Sequence, residues 1–513
     1  MTGSAKSVLA LDLGTGGCKA SVWHSTGVRG ETSVVSYETL HPGDGLNEQR
    51  PADWWAAVLR SSKLLRDADP AAFERIEGVV LSGQSLGCLP LDQNDEPLEE
   101  TTPIWSDSRG HDDAQRFFEH FPEDRWYLET GNGFSPGLYP VFTLMHMART
   151  RPEISARTRT VIGSKDYINL RLTGVVATDH SYASGSGCYS LAAGGYDAAI
   201  CDAAGIDISL FPAPVEASEV VGTVLPTAAA ELGVAPGTPV FSGGVDNSCM
   251  ALGSGLAQAG RSYASLGSSS WVTVASAQPV LDVDSRPFVF RHVVPGLHVS
   301  ALSTFSSGTS FDWVKGILGH AGLDTPAVLD GAMNSPAGAR GALFLPTLAG
   351  GTPLEGGSQV RGGFVGLGLS TTQEDVVRAV MEGIALALRR SRRRLGELTP
   401  LDDRMIITGG GSRHAGWNQI YAEAMGVRLV RTTVGQDAAT LGAAAAAFVG
   451  LGAWPDHRQA EAVVSAQDEI VPDPAATATY DRLAEDFEAA SRLAARYAHH
   501  KHNGGHDADR SDR

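Results

Sequence analysis

The chain has 513 residues, too many for one hydrophobic core, so two large domains are expected. Its 42% hydrophobic and 19% charged residues exclude a disordered chain, and a net charge of −18 argues against a nucleic-acid binder, which needs a clustered basic face. Five cysteines, Cys18, Cys88, Cys188, Cys201 and Cys249, stand singly with no CxxC pair, as suits thiols buried in a reducing cytoplasm. No room for a signal peptide precedes the first strand, and no apolar run approaches the ~20 residues that span a bilayer, so a cytoplasmic protein without a membrane partner is expected.

An apolar strand over 8–13 runs into Gly14, Thr15, Gly16 and Gly17, and a second strand follows over 19–24. Asp12 stands at the end of the first strand. A carboxylate there can hold a hydrated Mg²⁺ while the Thr15 hydroxyl and the neighbouring amides reach phosphate oxygens, and it can equally cap a hairpin turn. A short buried strand follows over 79–83, and the strand over 237–244 empties into glycines just before Asp246. Ligands collect beyond the carboxyl ends of strands in α/β domains, and transfer of a phosphoryl group to an alcohol needs one base beside the attacking hydroxyl. An Asp at this position also serves as a cap for the next helix.

The opening grammar then recurs: strand 261–266, turn 267–270, returning strand 271–275. Two hairpins of one design half a chain apart predict two related α/β domains. Glycine clusters over 265–270, 307–309 and 408–412 mark loops where bare backbone approaches a ligand; the last lies between a strand and a helix containing Trp417 and Asn418, a seat for a nucleotide. Neither GxxxxGK[ST] nor GxGxxG occurs. The pattern Thr371-x-x-Glu374 predicts a capped helix with Val377, Val380, Met381, Ile384 and Leu388 facing the core. The arginines Arg389, Arg390, Arg392, Arg393 and Arg394 read as a solvated face at that helix's end. Residues 498–513, rich in His, Asp and Gly, read as a frayed, disordered tail.

These residues, in this order over roughly 7–450, resemble the FGGY family of carbohydrate kinases, closest to its xylulokinase-like members. The resemblance runs through Asp12-Leu13-Gly14-Thr15-Gly16, Asn47-Glu48-Gln49 with Trp54-Trp55, Ser82-Gly83-Gln84, Trp105-Ser106-Asp107-Ser108-Arg109, Lys165-Asp166-Tyr167 and Ala177-Thr178-Asp179. It continues through 237–253, Arg361-Gly362-Gly363-Phe364 and Met381-Glu382-Gly383. It implies an α/β fold of two actin-like (ribonuclease H-like) ATPase domains, 1–253 and 254–497, with the active site in the cleft between them. It further implies ATP and Mg²⁺, Asp246 as general base, and Asp12 near the metal through water. Gly14, Thr15, Gly267, Ser268, Gly308, Gly410, Gly411 and Asn418 would line the nucleotide site. Gln84, Ser85, Leu86, Trp105, Asp107 and Arg109 would surround a small sugar or polyol, and a homodimer is compatible with the resemblance. The alternatives are a non-catalytic sensor on the same scaffold, against which both Asp12 and Asp246 are retained, and another actin-like ATPase such as a chaperone, against which the loop around Trp105, Asp107 and Arg109 favours a small polar ligand.

The chain departs from the family pattern twice. Xylulokinase-like members commonly carry Gln-Met-His-Gly where this chain has Gln84-Ser85-Leu86-Gly87, and the first family signature is degraded over 135–142. A pocket that loses an imidazole and gains an aliphatic wall is expected to prefer a sugar other than D-xylulose.

Overall fold

The structure, a computed structural model, describes residues 5–320 and 322–508, and the side chains up to residue 501. The first half opens with an antiparallel meander of β1 (Ser7–Gly14), β2 (Gly17–His24) and β3 (Arg29–Ser36). Helix α1 (Pro51–Ala68) leads to β4 (Ile76–Gly83), parallel to β1. After α2 (Ser164–Thr173), strands β5 (Val220–Thr223) and β6 (Pro239–Val245) complete a sheet of order β5-β6-β4-β1-β2-β3, and α3 (Asp246–Gly253) comes directly after. β1 is apolar at nearly every position because both faces of the sheet are covered. Leu9, Leu11 and Leu13 pack with Trp54 and Val58 of α1, whereas Val8 and Ala10 point to the opposite face.

The second half repeats the plan. Strands β7 (Ser262–Leu266), β8 (Ser270–Ser276), β9 (Phe288–Arg291) and β10 (His298–Thr304) precede α4 (Gly308–Ile317) and α5 (Gln373–Leu398). Then come β11 (Arg404–Thr408), α6 (Ala415–Met425), β12 (Arg428–Thr432), α7 (Ala438–Gly450), β13 (Ala466–Ile470) and α8 (Pro474–Ala508). The sheet order is β9-β10-β8-β7-β11-β12-β13. In each half a hairpin with a third antiparallel strand lies on one side, and two parallel strands extend the sheet on the other. The repeated hairpins are the visible part of this repeated topology.

Three local expectations shift. The cap of α5 is one residue later than expected. Thr372 Oγ1 accepts from the Asp375 amide and Asp375 Oδ2 accepts from the Thr372 amide at 3.0 Å, while Thr371 Oγ1 accepts from the Gly368 amide. The arginines of α5 are a solvated face only in part: Arg393 is exposed, whereas Arg389 and Arg390 pair with Asp481 and Glu488 of α8, and Arg394 with Asp282. Helix α8 continues through Ala508, so 498–508 is helical rather than a frayed tail, although its packing face ends earlier, with Tyr480, Phe487 and Ala490 buried and Tyr497 exposed. Residues 509–513 of the expected tail lie outside the described residues.

One helix breaks the division of the chain at 253. Although α7 belongs by sequence to the second half, its run Ala443–Ala447 and Phe448 pack with Val8, Ala10, Val80 and Phe241 of the first sheet. It crosses α3 at backbone contact. A Cβ on Gly442 would lie 1.8 Å from the Cys249 carbonyl oxygen, and one on Gly253 would lie 1.8 Å from that of Ala438. Neither neighbour is a movable side chain, so only glycine fits at either point. Gly442→Ala is therefore expected to destabilise the protein by about 3 kcal/mol in urea denaturation, the upper range for overpacking. At the exposed Gly316 of α4, where a Cβ meets nothing within 4 Å, Gly316→Ala should instead stabilise by up to ~1 kcal/mol.

Candidate active site

Asp246 owes its position to a break in β6. The parallel register with β4 shifts between Phe241 and Gly244, and Gly243 sits at φ 69° with its missing Cβ directed 1.9 Å from the Leu81 carbonyl oxygen. Such a bulge turns the strand end and re-aims the residues beyond it. Val245 becomes the N-cap of α3 and Asp246 its first residue. The Asp246 carboxylate accepts the Asn247 amide at 2.7 Å and is partly exposed. Burial against the strand ends, and secondly the charge of Asp12, raise its pKa to about 7 despite that amide.

Asp12, at the carboxyl end of β1, is also raised by burial, and is relieved by the Ser82 hydroxyl donating at 2.8 Å and by the charge of Lys19. Lys19 lies directly opposite Asp12 in the β1–β2 register. Its ammonium donates to the Gln436 carbonyl at 2.6 Å and lies 3.5 Å from Asp437, so it links the first hairpin to the loop before α7. That loop is in turn held to Thr408, whose hydroxyl donates to the Gly435 carbonyl at 3.0 Å immediately before the triple glycine. The sequence pattern did not single out Lys19; pairing residues across the two-residue Thr15-Gly16 turn would have placed it beside Asp12.

The donor set suits a hydrated divalent cation rather than a protein cage. Asp12 and Asp246 are neighbouring carboxylates with raised pKa values, while no cluster of three or more His, Cys, Asp or Glu among the described residues could hold a metal ion. Mg²⁺ accepts such a setting because it keeps most of its water and shares its remaining positions with phosphate.

Around the Thr15 turn, Trp105 Nε1 donates to Thr15 Oγ1 at 2.8 Å and Gln49 Nε2 donates to the Thr15 carbonyl at 2.7 Å. Trp105 is 40% exposed, the one aromatic of the expected sugar loop open to solvent. Gln84 Nε2 donates to Gln49 Oε1 at 2.8 Å, and Gln84 Oε1 is buried without a partner among the described residues.

Two expected sugar ligands are otherwise engaged. Asp107 is 1% exposed, and its oxygens accept from Arg109 Nε at 2.7 Å, Arg109 Nη2 at 2.8 Å, and the amides of Arg109 and Asn47. Arg109 Nη2 also donates to Glu48 Oε1 at 2.6 Å. The Asp107 carboxylate is fully engaged in this way and braces the loop, whereas the Nη1 donors of Arg109 stand outside these contacts. Leu86 does not form an exposed wall either. It is 3% exposed, in left-handed backbone at φ 57°, and clusters with Tyr182, Val245 and Phe290; Ser85 beside it is 7% exposed.

In the second half a cavity of about 700 Å³ is lined by Gly267, Ser268, Gly308, Gly410 and Gly411 and by the aromatic side chains of Phe311, Trp417 and Tyr421. Trp417 and Tyr421 stack with ring centroids 5.5 Å apart. A Cβ on Gly308 would lie 2.6 Å from the Gly267 carbonyl oxygen, which is why the two loops close to form one rim. Asn418 does not line this cavity: it is buried, and its Nδ2 donates to the Ser412 carbonyl at 2.8 Å, bracing the turn from behind. Gly14 and Thr15 belong to the hairpin of the first half. Bare backbone and an aromatic floor together fit a phosphorylated base better than a sugar.

Residues 7–253 match the N-terminal domain, and 262–451 the C-terminal domain, of the FGGY family of carbohydrate kinases. The chain is 29% identical over 447 residues to the xylulose kinase of Bacillus subtilis strain 168, covering 86% of this chain and 88% of that protein. It is 27% identical over 461 residues to the L-xylulose/3-keto-L-gulonate kinase of Escherichia coli strain K12, covering 88% and 90%. The crystal structure of xylulose kinase from Rhodospirillum rubrum superposes with a TM-score of 0.88 at 28% identity, covering 96% of this chain and all of that one. With both of its domains matched in order and a two-domain α/β fold to carry them, the chain belongs to the FGGY family of carbohydrate kinases.

Proposed function

We propose that this protein transfers the γ-phosphoryl group of ATP to a hydroxyl of a small sugar or polyol, with Asp246 as general base. The observation that carries the reading is the placement of Asp246 at a bulged strand end, beside Asp12, with a pKa of about 7. A base near the working pH is half available as carboxylate and still strong enough to draw a proton. Asp246 takes the proton of the acceptor hydroxyl as that oxygen forms its bond to the γ-phosphorus; the bond from phosphorus to the bridging oxygen breaks, and ADP leaves with that electron pair. Asp12 would hold Mg²⁺ through water, and the ion when bound would supply charge neutralisation on the phosphate oxygens. Lys19, opposite Asp12, adds a fixed positive charge at the same end. Gly267, Ser268, Gly308, Gly410 and Gly411 seat the nucleotide, and the Thr15 hydroxyl, whose oxygen already accepts from Trp105, keeps its proton for a phosphate oxygen.

For the sugar, the relatives' substrates suggest a ketopentose or a related sugar acid. Gln84 Oε1, buried and unpartnered among the described residues, is the acceptor best placed to take a sugar hydroxyl, with Trp105 as an exposed aromatic face. Because Leu86 turns into the core, the position where family members present an imidazole offers no side-chain hydrogen bond, and a hydroxyl that needed one would lose ~1–3 kcal/mol.

Asp246→Asn should lower kcat by ~10²–10⁴-fold while the KM values for ATP and sugar change little, because the carboxylate acts in the transition state. In the native enzyme kcat/KM for the sugar should fall tenfold per pH unit below about 7 and level off above it, since only the ionised carboxylate accepts a proton. Near-native turnover in Asp246→Asn would end the assignment. Asp12→Ala should weaken Mg·ATP binding in calorimetry while leaving sugar affinity unchanged, and unaltered Mg·ATP affinity with normal turnover would return Asp12 to a turn cap. Across D-xylulose, L-xylulose, ribulose, L-fuculose, erythritol and glycerol, D-xylulose should trail the best substrate by ~10–100-fold in kcat/KM; a wide lead for D-xylulose would refute the inference from Ser85 and Leu86.

A further inference from the structure

Behind Asp246 lies a cluster of buried charges that the proposed chemistry leaves unused. Lys165, in the first turn of α2, is 1% exposed and pairs with Asp166 and, at 2.8 Å, with Asp179. Thr178 donates its hydroxyl to Asp166 Oδ2 at 2.8 Å. Asp179 Oδ2 accepts both the Ser181 amide, at 2.6 Å, and the Ser181 hydroxyl. With its proton committed to Asp179, Ser181 Oγ presents its lone pairs elsewhere, and it accepts the Val245 amide at 2.9 Å. Val245 is the residue immediately before Asp246.

The same cluster holds the other end of the bulge. Lys165 Nζ and Asn169 Nδ2 both donate to the Ser242 carbonyl, at 3.4 and 3.1 Å. The four residues 242–245 are thus fixed at their first carbonyl and their last amide, with Gly243 in left-handed backbone between. The bulge has given up its regular pairing with β4 between Phe241 and Gly244, so these links replace ladder bonds at the point where the chain turns toward the site. A buried ion cluster is weak evidence for stability, because well-packed apolar residues often serve as well. What it supplies here is direction: hydroxyl and carboxylate geometry fix one orientation of the Val245 amide.

We propose that Ser181, oriented by Asp179 and Lys165, is a positioning residue of the phosphoryl transfer, holding the Val245 amide and through it the Asp246 carboxylate in line with the acceptor hydroxyl. The proposal rests on the reading of Asp246 as base. Small displacements of a reacting group cost up to ~10²-fold in rate without altering ground-state binding. A merely structural hydroxyl would change melting temperature and leave turnover per folded molecule intact.

The test is a kinetic cycle of Ser181→Ala, Asp246→Asn and the double variant on the full chain, with the best sugar of the panel and saturating Mg·ATP. Ser181→Ala should lose ~10–100-fold in kcat with both KM values within about twofold of native, and Ser181→Thr, which keeps the hydroxyl, should recover most of it. In the Asp246→Asn background Ser181→Ala should cost less than about twofold, because the group it positions is gone. A kcat within about twofold of native in Ser181→Ala, or a full loss carried unchanged into the Asp246→Asn background, would overturn the proposal. Should Ser181→Ala fail to fold, Asp179→Asn replaces it: a ~5–10-fold loss in kcat at constant KM supports the relay, and native kcat refutes it. Near-native turnover in Asp246→Asn alone is the separate signature of a wrong base, and it removes this proposal with it.

Discussion

The architecture depends on a contact with no side chain in it. Helices α3 and α7 meet backbone to backbone at Gly253 and Gly442, and each glycine faces a carbonyl oxygen of the other helix's neighbourhood. α3 carries Asp246 at its first residue; α7 begins directly after the loop that Lys19 grips. The separation of these two helices therefore sets how far Asp246 and the first hairpin stand from the glycine loops of the second half. The alanine run of α7 comes from the same requirement. Small residues allow close approach to β1 and β4, and alanine keeps the helix stable where nothing larger fits.

That rigid crossing explains why unfavourable electrostatics can persist beside it. Asp12 and Asp246 are both raised by burial, and the charge of Asp12 raises Asp246 further. Two buried carboxylates relieved by one lysine and a few hydrogen bonds work against the stability of the fold, a pattern that clusters at functional sites. Lys19, itself lowered by burial, is held between Asp12 and the Gln436 carbonyl. Its contacts span both halves, so any change in their separation alters the charge felt by Asp12.

Much of this was legible in the sequence wherever local rules decide the outcome. The glycine turn after Asp12, its echo at 267–270, and the strand emptying into Gly243 and Gly244 arise from turn chemistry and period-two patterning, and all stand close to where the pattern put them. The apolar stripe of α5 was equally plain, while its cap slipped by one because Thr371 and Thr372 each have an acidic residue three positions on. Tertiary facts were not legible. A helix apolar on every side, such as α7, announces burial without naming the sheet it is buried against. Asp107 and Arg109 have the residue types of a sugar-binding pair, yet the curl of their loop closes them on each other and on Glu48. Lys165, Asp179 and Ser181 are scattered over 165–181, and nothing in their spacing reveals that they meet at Val245.

Leu86 shows how stability and recognition trade places at a single residue. A left-handed backbone costs a non-glycine residue roughly 1–2 kcal/mol. Glycine would avoid that cost but would leave the cluster of Tyr182, Val245 and Phe290 without a side chain that, fully buried, contributes about 1.5–3 kcal/mol. The leucine thus offsets its own strain by packing into the cluster that also holds Val245, the residue before Asp246. A histidine here would have to choose between the same apolar cluster, where its ring nitrogens lack partners, and the cleft, where they could meet a sugar. With leucine the choice falls on packing. Behind Asp246 the chain thereby presents apolar packing in place of a ring with hydrogen-bonding nitrogens.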